Sequence, residues 1–169
     1  MNECKESLPG KRKKTSFLLP LFCGVLLGVS VTFLAGILFL RHSLLPEYEC
    51  GGSFEETIEK FTGTVAKNPA WTLRKVQCGM PAMGEGERVS VFELCNGKYA
   101  SKLLKDPESR KSSAMIPCKV AIYEKEGKVI LSRLNLTLFF LLVGGYSSEV
   151  FREEIVPEQK VFLYSAVKK

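Results

Sequence analysis

Histidine is nearly absent: His42 is the only one in 169 residues. This removes the commonest general base and zinc ligand from everything downstream, so neither a Ser-His or Cys-His nucleophile nor a zinc site of normal spacing can be written. The six cysteines include no Cys-x-x-Cys pair, which excludes the zinc-ribbon and thioredoxin spacings. No Gly-x-Ser-x-Gly elbow or phosphate-cradling glycine loop occurs, and Gly84-Glu85-Gly86-Glu87, the nearest approach to paired carboxylates, reads as a solvated turn. No catalytic residue, metal ligand or cofactor is therefore assigned. A concentrated basic face is missing too. Of the net charge of +6, +3 lies in the first 16 residues, and the later Lys and Arg are scattered among Glu, which argues against a nucleic-acid reader.

What the chain does contain is a long apolar run, Phe17 to Leu40, without a charged side chain. At about 1.5 Å per helical residue it exceeds the roughly 30 Å of a bilayer core. Lys11-Arg12-Lys13-Lys14 precedes it, whereas only Arg41 and His42 follow before Glu47. The positive-inside rule then makes residues 1–16 a basic cytoplasmic tail and 17–40 a single-pass anchor in the cytoplasmic membrane, with the remainder on the periplasmic or extracellular side. A cleaved signal peptide is the competing reading. The run is longer than the usual apolar region of about 7–15 residues, and no small-x-small site follows Leu40, so an uncleaved signal-anchor is expected. Cys23 follows Phe22, which rules out a lipoprotein signal. Gly24, Gly28, Thr32 and Gly36 recur every four residues, and two readings stand: a face on which two anchors pack, or the ordinary abundance of glycine in membrane helices.

Residues 41–52 read as a linker that holds at most one edge strand, Glu47 to Cys50, and residues 53–169 as one α+β domain. Ser53 and Glu56 form a capping box, and Phe54, Ile58, Phe61 and Val65 follow at helical spacing until Asn68-Pro69. Trp71 to Cys78 and Arg88 to Cys95 alternate as strands, separated by a Gly and Pro turn region, Gly79 to Gly86. Asn96 caps a short helix through Leu104 that Asp106-Pro107 ends, and Ser109 to Ser113 is a polar loop. Met115 to Glu124 and Lys128 to Leu134 make a hairpin around Glu126-Gly127. Ser148 to Ile155 is helical until Pro157, and Val161 to Val167 forms a closing element whose type is open. Helices on one face of a largely antiparallel sheet are the architecture this order predicts.

Ser53-Phe-Glu-Glu-Thr57, Glu93-Leu-Cys-Asn96, Met115-Ile-Pro-Cys118 with Val120-Ala-Ile-Tyr-Glu124, and Arg133-Leu-Asn135 followed by Gly144-Gly145 resemble the domain of unknown function 302 family, also called the TT1751-like fold. The resemblance covers Tyr48 to Leu163. It implies a small α+β protein with a TBP-like sheet against helices and a homodimer, and it brings no established reaction. The family usually has Pro after Cys-Asn, where this chain has Gly97, and usually has Leu-Leu before Pro-Cys, where this chain has Met115-Ile116.

Both cysteines of those motifs are retained, which makes Cys95 and Cys118 a candidate thiol pair for redox or metal chemistry. If their strands run antiparallel as neighbours, the α-carbons can fall within the roughly 4.4–6.8 Å of a disulfide. The alternative is two small buried core residues. Leu136 to Val143 is apolar throughout and too short to cross a bilayer. Here too two readings stand: a helix turn packed on the sheet, or a surface formed by Leu138, Phe139, Phe140 and Leu141 that meets lipid, a partner or an apolar ligand. The function expected is a membrane-anchored binding or interaction module, with a thiol redox or metal-handling protein as the alternative. Asn135-Leu136-Thr137 matches a glycosylation sequon and is taken as chance.

Overall fold

A computed structural model describes residues 18–76 and 88–168. The basic tail, the Gly79 to Gly86 turn region, Cys4 and Cys78 lie outside the described residues. Two compact units are present, divided after Phe39. The first belongs to helix α1, Leu18–Leu44, whose stretch from Pro20 onward is long and apolar enough to cross a membrane. Within α1 the Ser30 and Thr32 hydroxyls donate to Leu26 and Gly28 carbonyls of the same helix, so neither needs an outside partner.

The second unit is built on five antiparallel strands: β1 Glu47–Glu49, β2 Trp71–Val76, β3 Val89–Asn96, β4 Cys118–Lys125 and β5 Lys128–Arg133. Their order is β1-β5-β4-β3-β2. β1 lies within the stretch read as a linker and pairs with β5 as an edge strand. The β4–β5 hairpin closes on Glu126 and Gly127, both with positive φ, as a two-residue type I′ turn requires.

Helices cover one face of this sheet. Helix α2, Phe54–Ala66, starts at the Ser53–Glu56 capping box and buries Phe54, Phe61 and Val65, the face its spacing predicts. Asn96 caps α3, Gly97–Lys105, by accepting from the Lys98 amide. The expected loop after Asp106 is instead a 3-10 segment, Pro107–Met115, because Asp106 accepts from the Ser109 amide and Pro107 occupies the first turn, where a missing donor costs least. β4 accordingly begins at Cys118, three residues later than the alternation predicts, after a cis Ile116–Pro117 peptide.

Three helices close the layer: α4 Leu136–Val143, α5 Gly145–Val150 and α6 Val156–Tyr164. A wide π-type turn, Phe151–Ile155, joins the last two. Pro157 was expected to break the helix and does not. It falls in the first turn of α6, directly after the wide turn, whose shifted hydrogen bonding relieves the ladder that proline would otherwise interrupt.

Phe92, Leu94, Val120, Ile122 and Leu131 of the sheet meet Phe61, Phe140, Phe151 and Phe162 of the helices in one core. The Glu158 carboxylate of α6 accepts from Trp71 Nε1 and from the Tyr99 hydroxyl, which ties α6 to β2 and α3. This carboxylate also pushes the Tyr99 hydroxyl up to about 12.

The apolar run 136–143 divides between core and surface. Leu136 and Phe140 are buried, with Phe140 stacked on Phe151 at 3.7 Å between centroids, while Leu141, Leu142 and Val143 are exposed. Phe140→Ala should cost about 3–5 kcal/mol and Leu142→Ser less than about 0.5 kcal/mol, read by urea titration of Trp71 fluorescence. Equal losses at the two positions would contradict this division.

Candidate functional site

Pairing between β4 and β5 runs from Lys125↔Lys128 to Val120↔Arg133 and stops there, although β4 continues to Cys118 alongside Leu94 of β3. Two residues of β4 are thus left without a β5 partner. β5 has a reason to leave: the Asn135 amide and side-chain Nδ2 donate to the Leu44 and Ser43 carbonyls, and the Asn135 Oδ1 accepts from Leu138 to cap α4. A cleft of about 540 Å³ opens at this divergence. Val91, Ala121 and Ser132 of the helix-free face line it, and so do Met115, Leu134 and Leu136, while Gln159 reaches it from α6 on the other side of the sheet. Its volume is that of a small-molecule site, about 300–1,000 Å³.

Two polar side chains at the cleft lack partners. Arg133 continues the inward alternation of Val129 and Leu131, so its guanidinium enters the helical layer, and its Nε and Nη1 are buried without a hydrogen-bond acceptor. Burial lowers the Arg133 pKa; the groups that act against this are the Tyr48 and Tyr164 hydroxyls and the Cys118 thiol, none of them a carboxylate. An arginine stays charged even so. Gln159, 1% exposed, has an unpartnered Nε2. Tyr123, also on the wall, donates to Glu47 at 2.6 Å; burial, and next that carboxylate, push its hydroxyl up to about 12.

Residues 47–158 match the family described as Domain of unknown function DUF302. The chain belongs to the DUF302 family. The crystal structure of an uncharacterized conserved DUF302 protein from Bacillus stearothermophilus is similar, with a TM-score of 0.58 and 15% identity over 74% of this chain and 99% of that one. At that identity the likeness is one of fold. No match was found among curated proteins.

In this DUF302 domain the two motif cysteines do lie on adjacent antiparallel strands, as the disulfide reading needs. The register works against the pair. Cys118 stands opposite Leu94 and shares its inward face, so Cys95, one residue on, alternates to the other face, although both residues border one small cavity beside Trp71 and Tyr99. Both thiols are free. Among the described residues no three His, Cys, Asp or Glu side chains gather as a metal site. Of the proposed surface, Phe140 is core, Leu138 and Phe139 are half-buried, and only Leu141 is exposed, at 61%. Gly24, Gly28, Thr32 and Gly36 all fall on α1, away from this cleft in sequence.

Arg133 and Gln159 carried no role in the sequence reading, although Arg133 belongs to a family motif. A signal was present: Val129, Leu131 and Arg133 step by two along one strand, which aims a cation at the core side. Gln159 gave no comparable sign.

Burial pushes the Cys118 and Cys50 thiols up. A thiol whose folded pKa is raised keeps its contribution to stability below the ordinary thiol range and loses it as pH climbs through the folded value. In the folded chain both should resist iodoacetamide in mildly alkaline buffer and react once urea unfolds it. Rapid native alkylation of Cys118, or a Cys95–Cys118 disulfide in the peptide map, would contradict the register.

Proposed function

We propose that this DUF302 chain is a membrane-tethered binding module that takes an apolar ligand into the cleft between the diverging ends of β4 and β5. The observation that carries the reading is the cleft's largely aliphatic wall, Met115, Pro117, Leu134 and Leu136 with Leu45 at its edge. Leu45 directly follows α1, five residues beyond the end of the apolar run, under about 10 Å along a helical path. A ligand drawn from lipid would have a short way to travel. The uncharged run with its basic flank supports an anchor whose domain lies outside the cytoplasm.

The test uses the full chain in phosphatidylcholine nanodiscs and a photoreactive dodecanol. Labelling should map to Met115 and Leu134, and Ala121→Trp, which fills the cleft from the open face, should reduce it to background with little change in thermal midpoint. Undiminished labelling in that variant, or no labelling of the wild type by dodecanol or by its anionic analogues, would reject the cleft as the ligand site. For topology, a reporter fused after Lys169 that works only outside the cytoplasm should be active; a silent one would reverse the orientation.

A further inference from the structure

We infer that the cleft is selective for a single-chain amphiphile whose head is an oxyanion, a carboxylate or a phosphate, held by Arg133 and Gln159. This rests on the binding reading above and adds the chemistry of the head group. Three observations carry it. Arg133 Nε and Nη1 are buried donors without acceptors, Gln159 Nε2 faces only the Cys118 thiol, a weak acceptor, and both side chains border the cleft. A buried donor left unpaired is costly, and a partly buried guanidinium without a counter-charge more so, which leaves an anion as the complement this end of the cleft lacks.

The charges on the rest of the wall agree. Among the described residues the only charged side chains that line the cleft are Arg133 and Lys119, both cationic. Lys119 is exposed, and its Nζ is 4.0 Å from Glu93 Oε1, so its own pairing is loose. A cationic ligand would meet two like charges, and a neutral one would leave the buried guanidinium uncompensated. Arginine also suits carboxylate and phosphate oxygens better than a point charge does.

Volume sets the rest of the ligand. At about 540 Å³ the cleft falls within the size of a site for one small amphiphile. The aliphatic side chains of Met115, Leu134 and Leu136 supply the surface for that chain, and Arg133 and Gln159 the site for its head.

The experiment offers photoreactive dodecanoate, dodecyl phosphate and dodecanol separately to the full chain in phosphatidylcholine nanodiscs, in mildly alkaline buffer, and maps labelled peptides by mass spectrometry. Cleft labelling of the wild type should favour one or both oxyanions over the alcohol by about tenfold or more, the yield expected from charge-assisted hydrogen bonds. The stronger of the two identifies the head. Arg133→Met should abolish that preference while alcohol labelling persists, and Arg133→Lys should restore part of it. Because Arg133→Met removes unpartnered buried donors, its thermal midpoint without ligand should not fall. The preference is read on the wild-type chain, so it stands or falls even if a variant does not fold. Equal labelling by dodecanol and both oxyanions would overturn the head-group inference and leave the cleft reading intact. Absence of cleft labelling by all three probes would overturn both.

Discussion

Every second residue of β3, namely Ser90, Phe92, Leu94 and Asn96, turns toward the helices. Because the side-chain period of a strand is two, a slip of one residue against β2 or β4 would drive Phe92 and Leu94 into water and bring Val91 and Glu93 into the core. The cost would be two large apolar side chains exposed and a carboxylate buried, which fixes the register on both sides of the strand. Much else follows from that register. Cys118 is set opposite Leu94, which separates it from Cys95. Glu93 is held on the open face, 2.6 Å from Arg74 and 4.0 Å from Lys119. Trp71 is placed beside Asn96, where its indole reaches Glu158 of α6.

The cleft is a consequence of how the sheet ends. A continuous β4–β5 ladder would have closed the space that Leu134 and Leu136 now border. Two competing demands prevent closure: Asn135 is engaged by Ser43, Leu44 and the first turn of α4, and Arg133 carries a charge into the helical layer. Hydrogen bonds that would have extended the ladder are replaced by bonds to Ser43 and Leu44, the last two residues of α1. The segment joining the apolar helix to the domain is thus part of the structure that shapes the cleft, through Leu45 on its edge. Arg133 has the opposite energetic character to the rest of the core. Phe61, Phe140 and Phe151 gain by leaving water, whereas a buried guanidinium without a carboxylate costs stability in the unliganded chain. Under the binding proposed above, an anionic ligand would offset that cost.

Legibility varied with the range of the interactions involved. The Ser53 capping box, the Asn96 cap, the alternation of β3 and the Glu126-Gly127 hairpin were all readable, since each depends on residues a few positions apart. The 3-10 segment after Asp106 and the passage of Pro157 through a helical stretch were not. In the first, a side-chain cap organised what looked like a polar loop; in the second, a wide turn removed the clash that normally makes proline a breaker. For 136–143 both readings held in part, because a short helix that is apolar all round does not reveal which side meets the core until its neighbour, here Phe151, is in place.

Local pattern by itself determined the apolar helix, the α+β class, most of the strands and the face that α2 buries, because periodicity and capping act over one or two turns of chain. The family, too, was legible from motifs in order. Only the tertiary structure decided that Cys95 and Cys118 occupy alternate positions of two paired strands, and that Arg133 and Gln159, 26 residues apart in the chain, border one cleft. Those outcomes depend on the register between strands and on where a ladder ends, which are set by packing between segments distant in sequence and leave no periodic trace in any one of them.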